Sequence, residues 1–126
     1  MSFVTGIDHV QVAMPSGAEA QARAFYGGVL GLTEVPKPAH LAVGRGLWFQ
    51  TGASQVHLGG ETPFIAARKA HPALTVGDFD GYVAHLTQQG VEVRPELVVA
   101  GRQRASISDV FGNKIELIED VASVQP

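Results

Sequence analysis

The chain has 126 residues, 45% hydrophobic and 17% charged, with a net charge of −3, the profile of one globular domain and not of a disordered chain. It has no cysteine, which excludes disulfides, thiolate ligands and a cysteine nucleophile and leaves nitrogen and oxygen to hold any metal. No basic run exceeds Arg68-Lys69, and no apolar stretch resembles a signal peptide or a membrane span, so nucleic acid and membrane are not expected partners and a cytoplasmic location is expected.

Residues 7–14 (IDHVQVAM) alternate as a strand does, with Asp8, Val10 and Val12 on one face and His9, Gln11 and Ala13 on the other. Ser16 and Glu19 have capping-box spacing, and Ala18, Ala22, Phe25 and Val29 then recur at helical intervals until Gly31 closes the helix. Strand-like runs follow at 33–35, at 41–51 with a turn at Gly44-Arg45-Gly46, and at 54–59, which gives β-α-β-β-β. Thr62-Pro63 predicts the cap and first residue of a short helical connector ending near Lys69. The order then repeats: a strand over 71–76, a helix over 78–89 stopped by Gly90, and strands near 91–94, 103–108 and 114–119. The tail 121–126 has no periodic signal and is expected to fray.

The chain therefore reads as one domain of two modules, 6–59 and 70–119, joined by a connector at 60–69 and sharing one core. Superposing the modules puts His9 on His71 and His57 on Glu116, so the repeat carries imidazole and carboxylate at its equivalent positions. Strand parity sends Val56, Leu58, Ala105, Ile107, Ile115 and Leu117 towards the helices. The opposite, concave face then receives Gln55, His57, His71, Arg102, Arg104, Ser106, Lys114 and Glu116. His40 and His85 do not repeat and read as loop and surface residues. Trp48, Phe49 and Phe64 read either as core or as the apolar lining of a pocket. Arg102 and Arg104 either clamp a carboxylate or phosphonate or belong to a solvated hairpin.

IDHVQVAM followed by FYGGVLGL, together with the terminal DVFGNKIELIE, resembles the vicinal oxygen chelate superfamily of glyoxalase I, extradiol dioxygenases, fosfomycin-modifying enzymes and bleomycin-binding proteins. Val110 stands where that family usually has proline. The resemblance implies an α+β fold in which two βαβββ modules form a cup-shaped mixed sheet with helices on its convex face. It also implies a divalent metal (zinc, nickel, manganese or iron) on His9, His57, His71 and Glu116, with Glu116 serving as base in glyoxalase-like chemistry. Bacterial glyoxalases generally have glutamate where this chain has His57, and His9, His71 and Glu116 alone make a two-histidine, one-carboxylate set.

On this reading the protein is a metal-dependent, glyoxalase-like enzyme acting on a small oxygen-rich molecule, with lyase or isomerase chemistry. Gln11, Trp48, Arg102, Arg104 and Ser106 would line its substrate. An extradiol-type dioxygenase and a non-catalytic antibiotic-binding resistance protein are the alternatives. A homodimer is expected, because each four-stranded unit has edges to cover.

Overall fold

The computed structural model describes residues 2–41 and 45–123. The chain divides into two compact units, Met1–Ile65 and Ala66–Pro126, and each contains one β-α-β-β-β motif.

In the first unit, β1 (His9–Pro15) leads to α1 (Glu19–Ala22), which runs on as a π-helical segment over Arg23–Val29. β2 (Thr33–Val35), β3 (Leu47–Thr51) and β4 (Ser54–Glu61) follow, with a 3-10 turn at Ala39–Leu41. The sheet order is β1-β4-β3-β2, with β1 parallel to β4 and the other pairs antiparallel. In the second unit, β5 (Ala73–Val76), α2 (Phe79–Gln88), β6 (Arg94–Val99), β7 (Arg102–Ser108) and β8 (Lys114–Glu119) give the order β5-β8-β7-β6, with β5 parallel to β8. Each parallel pair needs a crossover, which the helix-containing segment provides. The two units thus have the same topology.

Alternation places each core. Met14, Phe49, Val56 and Leu58 are buried in the first unit with Ala22, Tyr26 and Leu30 of its helical segment. In the second, Ala105, Ile107, Ile115 and Leu117 are buried with Phe79 and Leu86. Phe49 is fully buried and stacks on Tyr26 at 5.8 Å, so it belongs to the core and not to a pocket. Both helical segments end on glycines at positive φ, Gly31 (+82°) and Gly90 (+83°), as the sequence predicts.

The structure differs from the sequence reading at several junctions. Ser16 is not a helix cap: Gly17 turns the chain at φ +84°, Ala18 takes the cap position, and Ser16 Oγ hydrogen-bonds Thr62 Oγ1 at 2.7 Å. Glu19, the other half of the expected box, accepts the Gly46 N–H at 2.9 Å. The strand expected over 41–51 begins only at Leu47, and Gly44 of the expected turn lies outside the described residues. The connector does not form its expected helix, because its backbone bonds elsewhere: Ala67 N–H donates to Asn113 Oδ1 and Ala67 O accepts from Lys114 N. His71 lies just ahead of β5, although the Pro72 carbonyl still accepts the Glu116 N–H. The strand expected at 91–94 is displaced to Arg94–Val99, since Gly90 and Val91 donate to Thr87 and Leu86 in closing α2. Of the tail, Val121–Ser123 form a 3-10 turn, and 124–126 lie outside the described residues. Among the described residues no helix is long and apolar enough to cross a membrane.

Candidate functional site

The predicted donors come together in pairs, one pair in each unit. In the first, His9 and His57 stack face to face, with ring centroids 4.1 Å apart and planes at 12°. The pairing of β1 with β4 sets this up: His57 lies opposite Gln11, and His9 is two residues before Gln11 on the same face. Trp48, opposite His57 on β3, stacks on its other side at 4.4 Å and 8°, giving a pile of three flat rings. In the second unit, Glu116 lies opposite Ala73 on β5, and His71 is two residues before Ala73. His71 Nε2 is 3.3 Å from Glu116 Oε1. His9 relates to His57 in register as His71 relates to Glu116.

Each imidazole is anchored through one nitrogen. His71 Nδ1 is 2.7 Å from the Lys69 carbonyl, which can only accept, so Nδ1 donates there and Nε2 is the nitrogen that faces Glu116. His9 Nδ1 is held at 2.9 Å by the Asp8 carboxylate, which leaves Nε2 as the free nitrogen. His57 Nε2 donates to Gln55 Oε1 at 2.8 Å, and Gln55 Nε2 donates to Gln50 Oε1 at 3.2 Å. This relay fixes the amide orientation and leaves His57 Nδ1 as the lone pair. Histidine metal ligands are held in this way, with the second nitrogen tied to an acceptor.

Protonation states agree with a ligand role. Burial pushes the His57 pKa down, the neighbouring His9 adds to that, and the side chain is only 7% exposed, so the ring is held neutral. The Arg104 guanidinium holds the Glu116 carboxyl below the usual carboxylate range, against the opposing effect of burial. Arg104 donates from Nε to Oε2 at 2.9 Å and from the second guanidinium nitrogen to Oε1 at 3.1 Å, a fork closed on both oxygens.

Imidazole nitrogen and carboxylate oxygen, the donors in each pair, are types that suit a divalent cation of borderline hardness. Among the described residues, no group of three or more His, Asp or Glu side chains is placed to hold a metal ion. A cation on Glu116 would need an oxygen that Arg104 holds. Parallel rings 4.1 Å apart cannot both aim in-plane lone pairs at one ion, so for His9 and His57 to share a cation one of them would have to turn.

The remaining expected site residues are placed as follows. Arg102 donates to the Glu119 carbonyl at 2.8 Å, and Ser106 is buried and donates to Glu96 at 3.0 Å. The Gln11 amide fills the space a side chain at Gly59 would need. Trp48 also lines a cavity of about 550 Å³ with Arg23, Glu34 and Lys37. Sequence reasoning gave no role to Asp8, Gln55 or Asp109. Parity already put Gln55 on the face of His57, and that was the available signal. Asp109 Oδ1 accepts from Phe111 N and Asn113 N and Oδ2 from Asn113 Nδ2, which folds the DVFGN turn that starts β8 and presents Glu116.

Residues 6–117 match the model of the Glyoxalase/Bleomycin resistance protein/Dioxygenase superfamily, and the chain belongs to that family. A glyoxalase family protein from Bacillus anthracis is 43% identical, with a TM-score of 0.90 over 95% of this chain and 98% of the other. An antibiotic binding protein from Streptomyces sp. CB03234 (22% identity, TM-score 0.73, 94% and 98% covered) shares the fold. So does a lactoylglutathione lyase from Agrobacterium tumefaciens (20%, 0.72, 94% and 96%). No curated protein sequence matches the chain significantly.

Proposed function

We propose that the chain is a metal-dependent, glyoxalase-like enzyme acting on a small oxygen-rich molecule as a homodimer, with one divalent cation held by His9, His57, His71 and Glu116. The observation that supports this most is the register equivalence of the two donor pairs: the same two positions of a repeated fold carry converging donors in both units. When bound, zinc, nickel, manganese or iron supplies Lewis acidity to adjacent substrate oxygens and lowers the pKa of bound water.

The chain's own groups divide the remaining work. Asp8, Gln55 and the Lys69 carbonyl orient the three imidazoles. Glu116 paired with Arg104 is a weak base, because its proton affinity is depressed. Freed of Arg104 it becomes a stronger one, able to take a proton from a carbon next to a substrate carbonyl. Arg104, once off Glu116, presents a planar fork of donors to a substrate oxyanion. Gln11, Trp48, Arg102 and Ser106 complete the proposed substrate lining.

A second reading, a ligand-binding protein without chemistry, is favoured by the His9–His57–Trp48 pile, which is a platform for a flat ring. Elemental analysis of protein purified without a histidine tag separates these readings. About one equivalent of zinc or nickel supports lyase or isomerase chemistry, and iron or manganese supports a dioxygenase. No metal as purified and no uptake on reconstitution would overturn the enzyme proposal in favour of the binder.

A further inference from the structure

The sheet face that carries Glu116 also carries cations that the proposed metal centre does not use. A cavity of about 410 Å³ in the second unit is lined by Arg68, Arg94, Lys114, Ser106, Ser108 and Glu96. The strand pattern explains the gathering: Ile115 and Leu117 turn into the core, so Lys114 and Glu116 share the opposite face of β8. Arg94 on β6 reaches across β7, with Nε on Ser106 Oγ at 3.3 Å and a terminal nitrogen on Ser108 Oγ at 3.2 Å. Its other terminal nitrogen meets Glu92 at 3.1 Å, which leaves two of its five N–H donors unspent. Among the described residues, the Arg68 and Lys114 side chains have no hydrogen-bond or ion-pair partner.

Three cations therefore face one small polar hollow whose wall carries Glu96, held by the Ser106 hydroxyl at 3.0 Å, while Glu92 pairs with Arg94. The unpaired Arg68 and Lys114 and the two unspent donors of Arg94 suit an anion with several oxygens. A guanidinium held in plane by two hydroxyls, a mobile ammonium and a second guanidinium suit the spread oxygens of a tetrahedral group. The distance to Glu116 also follows from register. Ser106 is the β7 partner of Glu116, and Lys114 precedes Glu116 by two residues, roughly 7 Å along a strand.

We infer that this hollow is an oxyanion pocket for a phosphate-type group. The substrate of the proposed reaction is then a short molecule with reacting oxygens at one end and a phosphoryl group at the other. The substrate assignment rests on the metal-centre reading; the pocket itself does not.

The test uses the full-length protein stripped with a chelator and titrated with inorganic phosphate at pH 7.5, followed by calorimetry and by backbone amide shifts. Saturable binding is expected, with perturbed amides around Ser106, Ser108 and Lys114. Arg94→Gln and Lys114→Gln should each weaken it about tenfold, Glu96→Gln should tighten it, and acetate should bind at least about tenfold more weakly than phosphate. Lys114 and Glu96 lie outside the core, so circular dichroism of their variants should match the parent. Absence of saturation, unchanged affinity in the folded Lys114→Gln protein, or acetate binding as well as phosphate would each overturn the pocket. Because no metal is present, phosphate binding without metal uptake would refute only the metal centre, and metal uptake without phosphate binding only the pocket.

Discussion

Asp109→Ala should be among the most damaging single changes outside the apolar core, and the hydrogen bonds of the DVFGN turn give its size. Asp109 is 5% exposed and Asn113 1% exposed, and the Asp109 carboxylate accepts from Phe111 N (2.9 Å), Asn113 N (2.8 Å) and Asn113 Nδ2 (2.9 Å). Alanine leaves all three donors without this acceptor. At about 1.5 kcal/mol each for bonds to a charged acceptor, the loss is about 4.5 kcal/mol. Asp109→Asn keeps the oxygen that serves the two backbone N–H groups but sets its own NH₂ against that of Asn113, and should cost about 2 kcal/mol. With a urea slope of roughly 2 kcal/mol/M, the unfolding midpoints should fall by about 2 M and about 1 M. Equilibrium urea unfolding followed by far-ultraviolet circular dichroism measures both. An alanine variant within about 0.3 M of the parent, or an asparagine variant as damaged as the alanine one, would show that the turn is not held by this carboxylate.

Ile107, fully buried on β7, should cost about 3 kcal/mol when cut to alanine, measured in the same unfolding assay. His57 should titrate below the ordinary histidine value of about 6.5 in chelator-treated protein. Because its folded pKa is the depressed one, the unfolded state binds more protons, so its contribution to stability is full above about pH 6.5 and is lost as pH falls towards the folded pKa. Imidazole proton shifts locate that midpoint, His57→Gln should flatten the acid-side slope, and an ordinary midpoint would contradict the burial argument. Trp48 is the chain's single tryptophan and lies on His57, so zinc that turns either imidazole should change its emission, and His57→Ala should remove the response. Metal bound with unchanged emission would leave the ring pile intact and His57 out of the site.

The repeat, the order of elements along the chain and the core-facing side of the strands were legible in the sequence because two-residue alternation and glycine helix stops are local signals. Val56, Leu58, Ile115 and Leu117 are buried as parity requires, and Gly31 and Gly90 end their helices. The junctions were not legible, since their bonds run between distant positions: Ser16 to Thr62, Glu19 to Gly46, Ala67 to Asn113. Parity could place Arg104 and Glu116 on one face but could not show that the guanidinium closes on both carboxylate oxygens. Nor could it show the His9–His57–Trp48 pile, which depends on register between β1, β4 and β3. Arg94 was missed because β6 starts at Arg94, where the sequence reading ended its strand.

The proposal that two donor pairs make one metal centre is tested most directly by titrating chelator-stripped protein with cobalt(II) and following its visible absorption, with His9→Ala and Glu116→Ala in parallel. The account predicts one equivalent per chain in the parent and loss of tight binding in both variants, because each unit supplies only half of the donors. Full-strength binding and an unchanged spectrum in either variant would contradict it.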